Sequence, residues 1–254
     1  MSVDLSIVVP AYLEAKVIAS SLDTLAAFLK TRDYGSVEVL VVVADSNDGT
    51  AKIAESRTKS FDSLRVIHAG PRIGKGRDVR LGMFEATGRY RVFMDADLAT
   101  PLEHLDDIKA FINAKGQVAI GVRDLVSTHK GLIRKAITRG GNLLAQVLLL
   151  PGISDTQCGF KAFEAEVAKD VFGRMTITGW GFDMEILAIA RQRHYKITKI
   201  AIPDWHDPKK ADEGLAGDSA SSAAIQVLLD LFKVRLLAWG GRYRTINYIH
   251  KPVR

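Results

Sequence analysis

Two aspartates, Asp95 and Asp97, directly follow an apolar segment in the stretch YRVFMDADLATP (Tyr90 to Pro101). If that segment is a β-strand, residues two apart project to the same side, so both carboxylates point beyond its carboxyl end. Two anions held that close repel each other. The repulsion is relieved either by water at an exposed turn or by a divalent cation such as Mg²⁺ or Mn²⁺, which takes hard oxygen ligands. The spacing alone leaves both alternatives open.

An alternation of strands and helices predicts where these aspartates lie. Apolar segments bounded by turn residues predict strands at Leu5–Val9, Val37–Val43, Leu64–His68, Arg91–Met94, Val118–Gly121 and Ile197–Ile202. Helical periodicity lies between them, at Glu14–Lys30, Thr50–Lys59, Lys75–Ala86 and Pro101–Ala114. This order predicts an α/β fold, with a mostly parallel sheet and helices on both faces. Ligands bind such sheets outside the carboxyl ends of the strands.

Four turns follow predicted strands and would meet in one crevice: PAYLE (Pro10–Glu14), ADSNDGT (Ala44–Thr50), GPRIGKG (Gly70–Gly76) and DAD (Asp95–Asp97). The third turn supplies glycines and cations that suit a phosphate, and the second supplies acceptors that suit a base or a ribose. With these neighbours, a nucleotide and a metal ion are favoured over solvent alone.

Composition sets further limits. The 254 residues are compatible with one α/β domain, and the single cysteine, Cys158, excludes an intrachain disulfide. The N-terminus, MSVDLSIVVP, lacks the basic and apolar regions of a secretory signal, so we expect a cytoplasmic protein. The last 36 residues carry six Lys or Arg against one Asp, which favours an anionic partner: nucleic acid, acidic lipid or a phosphorylated substrate.

Helices are also predicted in the C-terminal half. His129–Leu150 is basic at first and then apolar, and a further helix is predicted over Phe182–Arg193. A last helix, Ser221–Trp239, has one apolar face, which consists of Ile225, Leu228, Leu229, Phe232, Leu236 and Trp239. Charged residues interrupt it too often for a membrane span. It either lies along a membrane surface or packs on its own sheet.

Five motifs, in order, resemble one family. They are SIVVPAYLE, VEVLVVVADSNDGT, GKGRDVRLGMFEATGRYRVFMDADLATP, DTQCGFKAF and GWGFDMEILAIA. Together they resemble the family 2 glycosyltransferases of the GT-A fold, and within them the branch that makes dolichyl-phosphate or polyprenyl-phosphate sugars, with the glucosyltransferases most similar. The likeness covers about Leu5 to His206. It implies a GT-A domain over residues 1–210 and a basic amphipathic extension over residues 211–254.

The resemblance implies an activity. The protein would move a hexose, glucose or mannose, from UDP-glucose or GDP-mannose to a polyprenyl phosphate, inverting the anomeric centre and using Mg²⁺ or Mn²⁺. It would work peripherally on the cytoplasmic face of a membrane and would not bind nucleic acid.

The resemblance also implies roles for individual residues. Asp95 and Asp97 would carry the metal and the diphosphate during catalysis. The nucleotide would contact Pro10, Ala11, Tyr12, Glu14, Asp45 and Lys75. The acceptor phosphate would contact Arg123, Arg134, Thr138 and Lys161.

Three positions depart from the family pattern. Leu13 stands where the family usually has Asn, and Ala44 leaves Asp45 as the only acid of its usual pair. WHDPKKADEG replaces an Arg followed by Gly-x-Ser-Lys, and His206, Lys209 or Lys210 could supply the missing cation.

Other classes of protein fit less well or stay open. A nucleotide-sugar pyrophosphorylase needs a Gly-rich, Arg-containing loop after its first strand, and a dinucleotide oxidoreductase needs Gly-x-Gly-x-x-Gly there; PAYLEAK has neither. A transferase with a soluble or glycan acceptor, and a non-enzymatic binding protein descended from a transferase, both remain open. Asp155 and Asp183 fit either a catalytic role or a helix cap.

Overall fold

The computed structural model describes residues 3–123, 143–206 and 217–244, and for residues 217–225 it describes the backbone only. In this part of the chain one sheet is flanked by helices on both faces, which confirms the predicted α/β class.

The described strands are β1 (Leu5–Ala11), β2 (Val37–Ala44), β3 (Leu64–Gly70), β4 (Tyr90–Met94), β5 (Val118–Arg123), β6 (Phe160–Glu164) and β7 (Ile197–Ile202). The described α-helices are α1 (Ile18–Lys30), α2 (Thr50–Glu55), α3 (Lys75–Glu85), α4 (His104–Asn113), α5 (residues 143–148), α6 (Ala165–Arg174), α7 (Phe182–Gln192) and α8 (Gly217–Trp239). A short 3-10 helix, Thr58–Ser60, follows α2.

The strands lie in the order β3-β2-β1-β4-β6-β5-β7. All neighbouring pairs are parallel except those of β6, which runs antiparallel to both β4 and β5. The carboxyl ends of β1, β2, β3 and β4 therefore meet at one edge of the sheet, beside the start of β6. This arrangement brings the four predicted turns together.

Side chains alternate between two apolar layers along the central strands. Val8, Val42 and Phe93 face the layer of α3, α6, α7 and α8. Ile7, Val41 and Val92 face the layer of α1 and α4. Burial of one such side chain stabilises the fold by about 1.5–3 kcal/mol. Packing on both faces of the sheet therefore holds the strands, and with them the strand ends, in position.

Helix α3 packs unusually close to the sheet because Gly82 has no side chain. A Cβ at this position would lie 2.3 Å from Val8 Cγ1. The first residue of α3, Lys75, is thereby held above the ends of β1 and β4.

Two elements, β6 and α6, were not predicted from the sequence. Strand β6 spans five residues with a lysine inside, so it lacks the apolar pattern of a buried strand. Helix α1 begins at Ile18 and not at Glu14, because the preceding residues form a loop in which Leu13 has a φ of 57°. Of the predicted helix His129–Leu150, residues 129–142 lie outside the described residues.

Five of the six residues in the predicted apolar face of α8 are exposed to solvent, and the side chain of the sixth, Ile225, lies outside the described part of the chain. Buried Leu231 and Val234 pack the helix on the α7 side of the core. The exposed apolar residues on the other side are Leu228, Leu229, Phe232, Leu236 and Trp239. The helix therefore does pack on the core of its own domain, but through the side opposite to the predicted apolar face. Among the described residues, none of the helices is long and apolar enough to cross a membrane.

Candidate functional site

A pocket lies at the carboxyl ends of β1 and β4 and at the start of α3. Its lining residues are Pro10, Ala11, Tyr12, Glu14, Arg72, Lys75, Asp78, Asp95, Ala96, Asp97 and Trp180. A second pocket shares Tyr12 and extends over the end of β2, where Leu13, Ala44, Asp45 and His68 line it. The two pockets together contain all the residues that the sequence assigned to the nucleotide and the metal.

Asp95 and Asp97 lie in a turn and not in the strand, because β4 ends at Met94. The turn is closed by a bond from the Leu98 amide to the Asp95 carbonyl and by one from the Ala99 amide to Asp97 Oδ1. Both aspartates line the pocket, so they face the same space, although the pleat of a strand is not the reason.

This pair of carboxylates fits a divalent ion that a substrate helps to bind. Within the described residues, His, Cys, Asp and Glu form no group of three that could hold a metal. Mg²⁺ in nucleotide enzymes is usually held by one or two carboxylates, substrate phosphates and water. Asp95 and Asp97 would therefore hold the ion together with a diphosphate.

Lys75 supplies positive charge next to the aspartates. Its ammonium donates to Asp95 Oδ1 and lies 5.5 Å from the centre of the Trp180 ring. Burial lowers the pKa of Lys75, but the carboxylates of Asp95 and Asp183 outweigh it and raise the pKa above its usual value. The side chain stays protonated at the start of α3, where the helix dipole also favours anions.

The part of the pocket that was predicted to hold the nucleoside is built from two loops that are joined by hydrogen bonds. The Glu14 amide donates to Thr50 Oγ1, and the Ala15 amide donates to Asp48 Oδ2. Burial raises the pKa of Asp48, but hydrogen bonds, first from Ser46 and then from Thr50, bring the pKa down to about 2. The charged carboxylate thus holds the loop after β1 against the loop after β2.

Arg72, Asp78 and Trp180 also line the pocket, and no ligand role was predicted for any of them. The Arg72 guanidinium lies 3.8 Å from the centre of the Tyr12 ring, Asp78 is buried beside Arg77, and Trp180 forms one wall. Arg72 lies within the predicted turn GPRIGKG, and Trp180 lies within the motif GWGFDMEILAIA. Both residues therefore belong to segments that were already singled out in the sequence.

Of the four predicted acceptor contacts, the structure describes two. Arg123 makes a two-point ion pair with Asp155, at 2.6 Å from Nε and 2.9 Å from Nη2, and lies 4.9 Å from the centre of the Trp205 ring. Burial lowers the pKa of Arg123, but the hydrogen bonds to Asp155 outweigh it and the net shift is upward.

The other described contact, Lys161, is fully buried and donates to Asp183 and to the Cys158 carbonyl. Its ammonium therefore does not face a space that an acceptor phosphate could enter. Arg134 and Thr138 lie outside the described residues, as do Lys209 and Lys210. His206 is exposed, and its amide donates to the Ala99 carbonyl.

Comparison with known proteins identifies the family of this chain. Residues 6–172, from β1 to α6, match the model of the family described as Glycosyl transferase family 2. The chain belongs to this family.

Proteins named dolichyl-phosphate beta-glucosyltransferase are similar to this family 2 member over most of the chain. A dolichyl-phosphate beta-glucosyltransferase of Saccharomyces cerevisiae is 33% identical, over 94% of this chain and 76% of the relative. One of Trichomonas vaginalis is 29% identical, over 94% and 76%. The protein of that name from Homo sapiens is 32% identical, over 79% and 67%.

Solved structures share the fold of this family 2 member. Mannosyl-3-phosphoglycerate synthase of Rubrobacter xylanophilus superimposes with a TM-score of 0.70 at 18% identity, over 94% of this chain and 76% of that one. Glucosyl-3-phosphoglycerate synthase of Mycobacterium tuberculosis, crystallised with Mn²⁺, UDP and phosphoglyceric acid, gives 0.66 at 18% identity, over 91% and 78%.

Proposed function

We propose that this protein transfers glucose from UDP-glucose to a polyprenyl phosphate at a membrane surface. The observation that carries the proposal is the pocket in which Asp95, Asp97 and Lys75 meet at the carboxyl end of β4, in a chain whose relatives include proteins named dolichyl-phosphate beta-glucosyltransferase. Those names favour glucose over mannose.

The proposed donor lies with its diphosphate between the aspartates and Lys75. A bound Mg²⁺ or Mn²⁺ would neutralise charge on the departing diphosphate. The Lys75 ammonium adds to that neutralisation, and Trp180 and the Tyr12–Arg72 stack form the walls. The nucleoside extends over the end of β2 towards Asp45 and His68. We propose UDP as the nucleotide because a synthase of the same fold was crystallised with UDP-glucose and Mn²⁺.

The proposed reaction is a single displacement. An oxygen of the acceptor phosphate attacks the anomeric carbon, the bond from that carbon to the diphosphate oxygen breaks, and UDP leaves with the electron pair. An α-linked donor then gives a β-linked product. The acceptor phosphate is already anionic at neutral pH, so it needs positioning more than a general base.

The acceptor phosphate would be bound by Arg123, oriented by its ion pair with Asp155, together with Arg134 and Thr138. Arg134→Ala should therefore raise the KM for the acceptor more than the KM for the donor. An equal effect on both would assign Arg134 to the diphosphate. Lys161 is left out of this group because its ammonium is enclosed.

A polyprenyl phosphate stays in the bilayer, so the protein must reach the membrane, and α8 offers the surface for contact. Leu229, Leu236 and Trp239 are exposed by 57%, 66% and 78%, and Lys233 is exposed beside them. Arg235 stacks on the Trp239 ring at 5.2 Å. A helix with exposed apolar residues flanked by basic ones suits the interface of an anionic membrane, here proposed to be the cytoplasmic leaflet.

A panel of donors and acceptors tests the activity. UDP-glucose and GDP-mannose are each incubated with Mn²⁺ and either a polyprenyl phosphate or a soluble phosphorylated acceptor, and products are identified by mass. We expect glucosyl phosphoryl polyprenol from UDP-glucose and no product with EDTA. Transfer only to the soluble acceptor would overturn the lipid acceptor, and no release of UDP from any mixture would favour a binding protein.

Flotation with liposomes tests the membrane contact. The wild type should float with anionic liposomes at low salt, and the double variant Leu229→Glu, Leu236→Glu should remain unbound. Phe84→Glu is the matched control, because Phe84 is also an exposed apolar residue, at 42%, but belongs to a different helix, α3. Equal flotation of the double variant would exclude α8 as the contact, and no flotation of the wild type would make a soluble acceptor the better proposal.

A further inference from the structure

We propose that the buried ion pair of Lys161 and Asp183 is a positioning unit that holds the Asp95 carboxylate in place. The inference rests on the proposed function, because it assumes that Asp95 serves the metal and the diphosphate. It assigns to Lys161 and Asp183 a role that requires no contact with substrate.

The first link is the register of the sheet. Met94 at the end of β4 is paired with Phe160 at the start of β6. One position further along this antiparallel pair, Asp95 faces Gly159. A Cβ on Gly159 would lie 2.0 Å from Asp95 Oδ2, so the backbone of Gly159 already bounds the carboxylate on one side.

The second link holds that backbone. The Lys161 ammonium donates to the Cys158 carbonyl at 2.5 Å and to Asp183 Oδ1 at 2.5 Å. It thereby ties the segment directly before Gly159 to the first turn of α7, where Asp183 lies. Lys161 is fully buried, so water does not substitute for either acceptor.

The third link acts from the other side of the carboxylate. Lys75 donates to Asp95 Oδ1. Asp95 is therefore held on one side by the backbone of Gly159, which the Lys161–Asp183 pair supports, and on the other side by the Lys75 ammonium.

Stability alone is a poor explanation for such a pair. Two charges lose their hydration on burial, and well-packed apolar residues in their place are often equally stable or more stable. Removal of only one partner is different, because it leaves an uncompensated buried charge. Replacement of both partners therefore separates positioning from stability.

The decisive variant is Lys161→Met combined with Asp183→Leu. The affinity for Mn²⁺ in the presence of saturating UDP is measured by electron paramagnetic resonance, and the melting temperature is measured on the same samples. Loss of groups that orient metal ligands typically weakens metal binding by roughly 10- to 100-fold, and we expect a loss in this range with a melting temperature close to that of the wild type. Wild-type affinity in the folded double variant would overturn the inference.

Asp183→Asn provides a second test, because it keeps a similar shape and removes only the charge. We expect weaker Mn²⁺ binding by several-fold. If the double variant does not fold, this variant alone decides, and unchanged affinity would overturn the inference. Its matched control is Asp170→Asn, which alters another buried ion pair, with Arg174, that lies outside the pocket. The control should keep wild-type affinity, and an equal loss there would show a general effect of destabilisation and overturn the inference.

The wild type separates this inference from the proposed function. A wild-type protein that binds no Mn²⁺ with UDP would overturn both. If the wild type binds Mn²⁺ in the presence of UDP and the variants bind it equally well, only the positioning role would be overturned.

Discussion

Gly159→Ala should strongly lower the rate of glucose transfer with little effect on stability. The added Cβ would lie 2.0 Å from Asp95 Oδ2, 2.4 Å from Cγ and 2.6 Å from Oδ1, whereas ordinary contacts begin at 3.4 Å. The nearest carboxylate oxygen would have to retreat by about 1.4 Å to reach that contact distance, a displacement of the order that costs 10²-fold in rate. The carboxylate is the end of a side chain and can rotate, so the fold itself should adapt.

The expected loss in kcat/KM is about 100-fold, which corresponds to ~2.7 kcal/mol of transition-state stabilisation. Transfer from UDP-glucose to a polyprenyl phosphate would be measured at saturating Mn²⁺, together with the melting temperature. Gly179→Ala is the matched control: it is another glycine near the pocket, but its Cβ would meet no atom within 4 Å. Activity of Gly159→Ala within threefold of the wild type, in a protein that melts normally, would refute the position assigned to Asp95.

Three further predictions address the metal, a pH-dependent contact and the loop after β1. Asp97→Ala should abolish transfer without loss of cooperative melting, and EDTA should do the same to the wild type; activity that resists both would contradict the metal role. His104 bonds Asp204 and Asp107, each at 2.8 Å; burial lowers its pKa, but the bond to Asp204 and then that to Asp107 outweigh it, so its pKa is raised in the folded protein. Protonated His104 therefore stabilises the fold fully below its unfolded pKa, and this stabilisation is lost as the pH rises through its folded pKa. Above about pH 6.5, the free energy of unfolding by urea should fall in the wild type but not in His104→Gln. Leu13→Asn should stabilise the protein by ~0.5–1 kcal/mol, because Leu13 is exposed with a φ of 57° and Asn tolerates this conformation better; a lower urea midpoint would disprove that strain.

Most of the pocket could be predicted from the sequence because its residues follow strands. Parallel strands bring their carboxyl ends to one edge, so Tyr12, Asp45, Lys75 and the two aspartates meet wherever the strand order allows it. The same rule does not predict the position of Trp180, because Trp180 lies in the loop before α7, more than a hundred residues after Lys75 in the sequence.

By itself, the sequence determined the α/β class, the four turns of the pocket and the membership of glycosyl transferase family 2, because these depend on local patterns and on motifs in order. Only the tertiary structure decided the environment of Lys161, since a lysine in a short strand is ordinarily exposed and becomes enclosed here through Asp183 of α7. It also decided which face of α8 packs inward. One apolar face was predicted for that helix, but Leu231 and Val234 on its other side are apolar too, so its periodicity is compatible with either orientation. Contact of Leu231 and Val234 with the core leaves Leu229, Leu236 and the rest of the larger face in solvent.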